Sequence, residues 1–376
     1  MRFLILLLFL TVLEFSHAQE KTLVLQLDRS TARPDWATRA SFQYNKGQLF
    51  YLNKVSNEIK VFDIGSGETV SSIALHRQGP DRVGPEPSVM KLISSDSILV
   101  FSDFFNGQLS LIDSNGKVLR RFQSEDVDNA GQDFSGIVPM GSVGNAISNG
   151  EAYVSKMIFN RKQAKTMAPF CAIDLESTRV LSFDKPKLYA GSKLDHLFLF
   201  NQIVEPSIVS NQANGTLVVS YPLDHNLYLT DDNFKTVKQV EARSKYFERF
   251  HLLGETYDEI PAEKYRENAR EISLLSGRYD QLIFNPYLKL YHRIIKLPVD
   301  EKQYSDYKKG LVGRLKSPEY TVMTLDASLN LISEKKMSLN DHRPDLGLFT
   351  SPDGLWFLKT EDHNEDEMIF ELIDIN

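Results

Sequence analysis

The segment His76-Arg-Gln-Gly-Pro-Asp-Arg-Val-Gly84 sets two guanidinium groups, an amide and a carboxylate close together between the breaks Gly79-Pro80 and Gly84-Pro85. Arg77, Gln78, Asp81 and Arg82 are side chains that grip an acidic or hydroxyl-rich ligand, because a guanidinium fork holds a carboxylate through two parallel hydrogen bonds. The same residues also suit a rigid turn in which Asp81 pairs with an arginine for structure. Further candidates for a ligand or partner surface are Asp103 and Asn106 in Asp103-Phe-Phe-Asn106, Tyr221 and His225 in Tyr221-Pro-Leu-Asp-His225, and the pair His342-Arg343. Histidine and arginine bind anionic groups, but each of these residues taken singly also fits an ordinary loop.

Other chemistry is missing from the sequence. There is no zinc-protease helix motif, nucleophile elbow, phosphate loop or paired CxxC. The reading therefore names no catalytic residue, no metal ligand and no cofactor. The acidic run Glu361-Asp-His-Asn-Glu-Asp-Glu367 lacks the alternating spacing of a dedicated calcium loop and reads as a solvated hairpin end. Asn214-Gly-Thr216 reads as a turn before it reads as a glycan site. Cys171 is the single cysteine, so no intrachain disulfide is possible, and its place in Phe170-Cys-Ala-Ile-Asp174 suggests a buried, inert thiol.

The elements that must carry the candidates come from a repeat. A strand closing on an aspartate turn occurs at Val61-Phe-Asp63, Leu111-Ile-Asp113, Ala172-Ile-Asp174, Leu229-Thr-Asp231 and Thr324-Leu-Asp326, and again at Leu372-Ile-Asp374. Each aspartate is read as a turn former that bonds the backbone two residues on. Upstream of each, a tight turn leads into an apolar strand, as in Asn45-Lys-Gly47, Asn149-Gly150, Asn214-Gly215 and Asp353-Gly354. Six four-strand units A-B-C-D predict an all-β fold, a six-bladed β-propeller. Lys21 to Asp28 is an orphan strand expected to close the last blade. Short A–B and C–D turns alternate with long B–C and D–A connections, which emerge together on one face, and long loops on a rigid scaffold are where binding residues sit. The insertion near 261–276 has helical spacing (Ala262, Tyr265, Ala269, Ile272, Leu275), with Pro261 before it and Gly277 after it.

Composition narrows the partners. The 376 residues carry a net charge of -7 and 42% hydrophobic content with no basic stripe, so nucleic acid is not expected. Arg2, the apolar run Phe3–Leu13 and Ser16-His17-Ala18 read as a signal peptide over 1–18, leaving a propeller over 19–376 that is exported to the periplasm or beyond after cleavage near Ala18. No cysteine follows the apolar run, so no lipid anchor is expected, and no transmembrane segment is predicted.

Three segments carry a family resemblance: Gly79-Pro-Asp-Arg-Val-Gly84, Asn285-Pro286 through Leu290-Tyr-His-Arg293, and Asp353-Gly-Leu355 followed by the acidic hairpin. Together they resemble domain of unknown function 4221, a family of exported proteins of Bacteroidota. The middle segment usually ends Tyr-Tyr-Arg in that family; here His292 replaces the second tyrosine. The resemblance implies the propeller and export, and no activity. The expected function is a non-catalytic binding or scaffold propeller that holds a protein, peptide or glycan on its long-loop face. The alternative is a hydrolase, lactonase or lyase with its site at the central channel.

Overall fold

The computed structural model describes residues 21–34, 41–84, 86–102, 108–122, 134–137, 146–160, 165–167, 170–177, 180–182, 206–211, 214–230, 235–251, 265–315, 319–337, 347–359 and 364–374. They form six antiparallel sheets in a ring, a six-bladed propeller. Blade 1 comprises Phe42–Asn45, Gln48–Asn53, Glu58–Asp63 and Thr69–Ala74, and blade 2 comprises Pro87–Ser94, Ser97–Ser102, Gln108–Ile112 and Val118–Phe122. Blade 3 is built on Ala146–Ser148, Glu151–Asn160, Phe170–Asp174 and Val180–Ser182, with Phe134–Ile137 and Lys165–Met167 added along its long second strand. Blade 4 comprises Ser207–Asn211, Thr216–Ser220, Asn226–Thr230 and Lys238–Glu241, and blade 5 comprises Arg278–Asn285, Leu290–Lys296, Tyr320–Leu325 and Leu331–Met337.

Blade 6 takes Leu348–Ser351, Gly354–Leu358 and Glu367–Ile373 from the end of the chain and its outer strand, Thr22–Gln26, from the beginning. That strand runs antiparallel to the last one, from Thr22 opposite Glu371 to Gln26 opposite Glu367, as the orphan strand predicts. Leu23 and Leu25 are buried by the pairing, and the junction leaves no free sheet edge between the two ends.

The aspartate turns take the expected form. Asp63 accepts from the amide of Ser66, Asp113 from Asn115 and Lys117, Asp174 from Glu176 and Ser177, and Asp326 from Ser328 and Asn330, all at 2.8–3.0 Å. Asp231 lies outside the described residues. In blades 1 and 2 these turns end on Gly67 and Gly116, at φ +75° and +81°, and a Cβ there would strike the carbonyl oxygens of Val24 and Ala74. Glycine therefore lets each turn touch the outer strand of the preceding blade.

The core is not a central mass. One apolar cluster fills each seam between neighbouring blades: Phe50, Ile59 and Met90 lie between blades 1 and 2, and Phe42, Trp356 and Phe370 between blades 6 and 1. The inner strands then surround an axial channel. Described A–B turns are short, whereas 242–251, 265–277 and 297–315 emerge on the opposite face. The predicted helix is Tyr265–Leu275. A second helix, Glu301–Lys308, lies in a stretch read as a plain loop; Asp300 caps it by accepting from the amide of Gln303 at 2.9 Å. Lys308 bridges the two helices through Glu267 at 2.7 Å.

Candidate functional site

Successive residues of a strand face opposite ways, so an inner strand presents side chains to both neighbouring blades. Along Pro87–Ser94, Met90 and Leu92 pack against blade 1, and Val89 and Ile93 pack against blade 3. Lys91 lies between them. Its backbone is held from blade 1 by Gln43, whose amide nitrogen donates to the carbonyl of Met90 at 2.6 Å and whose amide oxygen accepts from the N–H of Leu92 at 2.8 Å. Ser41 adds a bond to the same Met90 carbonyl at 3.2 Å.

Lys91 is one of the residues that line a cavity of about 250 Å³ in the axial channel. Five inner strands line it, with all of Phe42–Asn45, Leu348 to Thr350 and the ends of three others that lead toward their A–B turns, together with the turn residues Pro286 and Tyr287. All inner strands run from the long-loop face to the A–B turns, so the cavity lies toward the short-turn face. Phe42, Tyr44, Phe284, Tyr287 and Phe349 supply aromatic walls, and Gln43, Asn45, Ser94, Ser210 and Thr350 supply polar positions. Tyr44 of blade 1 and Tyr287 of blade 5 meet edge to face across the channel, with ring centroids 5.5 Å apart.

No Asp, Glu or His lines this cavity among the described residues. Lys91 makes no hydrogen bond or ion pair with a described residue, and burial alone pushes its ammonium down to about 8. A half-buried amine among aromatic rings, with no carboxylate beside it, suits a ligand that brings its own acceptor. Among the described residues no three His, Cys, Asp or Glu side chains gather to hold a metal.

The residues singled out in the sequence lie elsewhere. Facing the channel mouth is what Arg77, Gln78, Asp81 and Arg82 would need to do as a ligand site, but Asp81 and the Arg82 backbone are held on the rim by the outer strand of blade 2, and Arg77 and Gln78 are exposed. Asp81 accepts from the N–H of Val118 at 3.1 Å, and Arg121 donates to the carbonyls of Pro80 and Arg82. The physical reason is radial. A D–A connection begins at an outer strand, so its first half crosses the rim before Val83 and Gly84 reach the inner strands. Asp81 makes no ion pair with Arg77 or Arg82, both exposed and with guanidinium groups that have no described partner.

Tyr221 belongs to the seam between blades 3 and 4, and His225 to the seam between blades 4 and 5. Tyr221 is buried edge-on to Tyr228 at 5.6 Å. His225 contacts the phenol of Tyr279 through Nδ1 at 2.7 Å and the carbonyl of Glu248 through Nε2 at 3.2 Å. A carbonyl only accepts, so Nε2 carries the proton and Nδ1 receives the Tyr279 hydroxyl. Desolvation lowers the His225 pKa, and the imidazole is neutral and fully engaged. The Tyr-His-Arg segment serves the same seam: Arg293, completely buried, donates to Ser220 Oγ and to the carbonyls of His225, Ala242, Asp224 and Asn226 at 2.6–3.4 Å, and lies 3.2 Å over the ring of Tyr279. Asp103, Asn106, His342 and Arg343 lie outside the described residues.

Sequence reasoning missed Lys91. Its one signal is a lysine inside the apolar run Val89-Met-Lys-Leu-Ile93, immediately before a tight turn, where an inner strand has no use for a solvated charge.

Comparison with known proteins agrees with the architecture. A crystallised member of the same family from Bacteroides vulgatus superposes with a TM-score of 0.70 at 19% identity, covering 94% of this chain and 96% of the other. A protein from Bacteroides fragilis whose name marks it as exported gives 0.53 at 10% identity, covering 95% of both chains. Curated proteins yield no match. The model of the family described as Domain of unknown function (DUF4221) matches residues 13–336, and the chain belongs to that family.

Proposed function

We propose that this protein is an exported, non-catalytic binding propeller that holds a small organic molecule in its axial channel. The body of the ligand packs among Tyr44, Phe284, Tyr287 and Phe349, and an acidic group meets Lys91. The observation that carries this reading is that the Lys91 ammonium has no partner among the described residues and that no acid is among the described residues lining its cavity. A buried cation without a counter-charge is costly, and a bound carboxylate relieves that cost. The volume equals that of about eight waters at liquid density, which favours a single-ring compound over a peptide.

Export is supported by the order of Arg2, the apolar run Phe3–Leu13 and Ala18, by the name of the Bacteroides fragilis protein, and by the finding that no described helix is long and apolar enough to cross a membrane. N-terminal sequencing of secreted material should begin at Gln19; retention of Phe3–Leu13 would contradict it.

Thermal shift with benzoate, phenylacetate and related aromatic carboxylates tests the cavity. Wild type should gain stability with ligand concentration, and Lys91→Met should keep its fold and lose the gain. Equal stabilisation of the variant would overturn the role of Lys91. A second reading keeps a protein, peptide or glycan on the long-loop face. The exposed, partnerless Arg77 and Arg82 favour it. If it holds, their double alanine variant should stay folded and lose partner capture.

A further inference from the structure

We infer that Lys91 captures an aldehyde or ketone inside the channel as a reversible imine. The inference rests on reading the cavity as a ligand site and adds the ligand's reactive group. Three observations carry it. Lys91 lines the cavity, and no described residue hydrogen-bonds or ion-pairs with its amine. No carboxylate among the described lining residues holds a proton on it. Its backbone is fixed on both sides by the Gln43 amide, so the stem starts from one position.

A lysine becomes a nucleophile when its surroundings disfavour the charged form, and an apolar pocket does this by desolvation. Burial here lowers the ammonium toward neutral pH without any second charge, so a sizeable fraction is free amine under ordinary conditions. The surface lysines Lys308 and Lys336 differ: contact with Glu267 and Glu319 favours their charged forms.

The capture step balances without an oxidant or reductant. The neutral nitrogen attacks the carbonyl carbon and forms a C–N bond, and the carbonyl oxygen becomes a hydroxyl. That hydroxyl then leaves as water, taking with it the two hydrogens that the amine carried, and the C=N bond closes. Hydrolysis reverses each change, so the ligand is released intact. The polar positions Ser94, Ser210 and Thr350 share the lining with Lys91. The aromatic walls favour a ring-bearing carbonyl compound, for which benzaldehyde is the simplest probe. Such capture differs from binding a carboxylate: it uses the neutral amine, and its occupancy rises with pH up to the ammonium pKa.

Reductive trapping tests the inference on the full mature chain. The protein is incubated near pH 7.5 with benzaldehyde and cyanoborohydride and sampled over time. Peptide mapping then follows the benzyl adduct at every lysine. Lys91 should be modified at least about tenfold faster than Lys46 or Lys302, because a smaller fraction of an ordinary lysine is neutral at that pH. Modification of Lys91 at the pace of those two would overturn the imine. Lys91→Arg keeps the cation and should remove the fast adduct while the fold survives; a fast adduct persisting elsewhere in that variant would also overturn it. Benzoate distinguishes the two levels of the argument. If benzoate stabilises the protein but Lys91 shows no preferential adduct, the imine falls and the cavity reading stands. If Lys91 is trapped selectively and benzoate neither binds nor competes, the imine stands and the carboxylate anchor falls.

Discussion

Two cations occupy the interior of this propeller in opposite ways. Arg293 spans the seam between blades 4 and 5 and gives its donors to a hydroxyl and four carbonyls, with Tyr279 against its face. Lys91 stands in the channel and gives its donors to no described residue. Both sit on strands and both follow apolar or aromatic neighbours in sequence. What separates them is the geometry around them: a seam closes protein groups around a cation, whereas the axis cannot, because six inner strands meet there without filling it. A saturated charge holds the fold together, and an unsaturated one is available to a ligand. Lys60 falls on the saturated side, buried and paired with Asp28 at 3.1 Å and Glu58 at 2.8 Å.

The largest effect should come from the N-terminus, which carries the partner of Lys60. Removing residues 19–28 takes Leu23 and Leu25 out of the seam between blades 6 and 1 and strips Lys60 of Asp28. Each buried leucine is worth about 2–3 kcal/mol, and the edge of Glu367–Ile373 becomes free to pair with other chains. Calorimetry should show loss of cooperative melting with aggregation; an unchanged melting curve would break the closure account.

Arg293→Met comes next. Its removal leaves the carbonyls of Asp224, His225 and Ala242 without the donor that now holds them, at a cost of about 3–5 kcal/mol. The melting temperature should fall by about 5 °C, and a fall as small as that of a surface substitution would remove the distinction between the two cations.

Acid should act through His292 and Asp28. Burial lowers His292 to about 4. The unfolded chain therefore takes up this proton near pH 6.5 while the native state refuses it, and stability present above pH 6.5 is lost as the pH falls toward 4, by roughly 3 kcal/mol in all. At Asp28, desolvation pushes the carboxyl up, but hydrogen bonds from Ser30, Thr31 and Lys60 outweigh it and hold the group well below the usual range. Its contribution, present above the unfolded value near 4, is lost at still lower pH. Urea melts between pH 7 and 4 should steepen for wild type and flatten for His292→Leu; equal slopes would show that His292 does not titrate as a buried neutral group.

The smallest effect on the fold belongs to Lys91. Lys91→Met should change stability by less than about 0.5 kcal/mol, or raise it, since no described interaction is lost. A large loss would place Lys91 beside Arg293 as a structural cation.

The ring was legible because its signals are local. Turn aspartates such as Asp113 bond their own backbone, and an unpaired strand such as Thr22–Gln26 betrays itself by lacking a hairpin partner. The short helix after Asp300 escaped notice, although Asp300 and Gln303 stand at the spacing of a cap. The site was not legible, for two reasons. Its lining draws on inner strands far apart in sequence, from Phe42 to Thr350. Its charged residue also looks ordinary beside polar loop residues such as Arg77 and His225. Asp81 and His225 gain their positions from backbone groups elsewhere in the chain, the strand residue Val118 for Asp81 and the loop residue Glu248 for His225, and such bonds leave no mark in composition.

The central claim is that Lys91 is an uncommitted amine inside the protein. Competitive labelling of all lysines with acetic anhydride across pH 6 to 11, read by peptide mass spectrometry, measures each titration on the folded chain. The account predicts that Lys91 loses its proton near pH 8, well before an ordinary lysine near 10.4, and that bound benzoate moves it upward. Titration of Lys91 together with the exposed lysines would contradict the account, because it would mean that burial does not disfavour its charge.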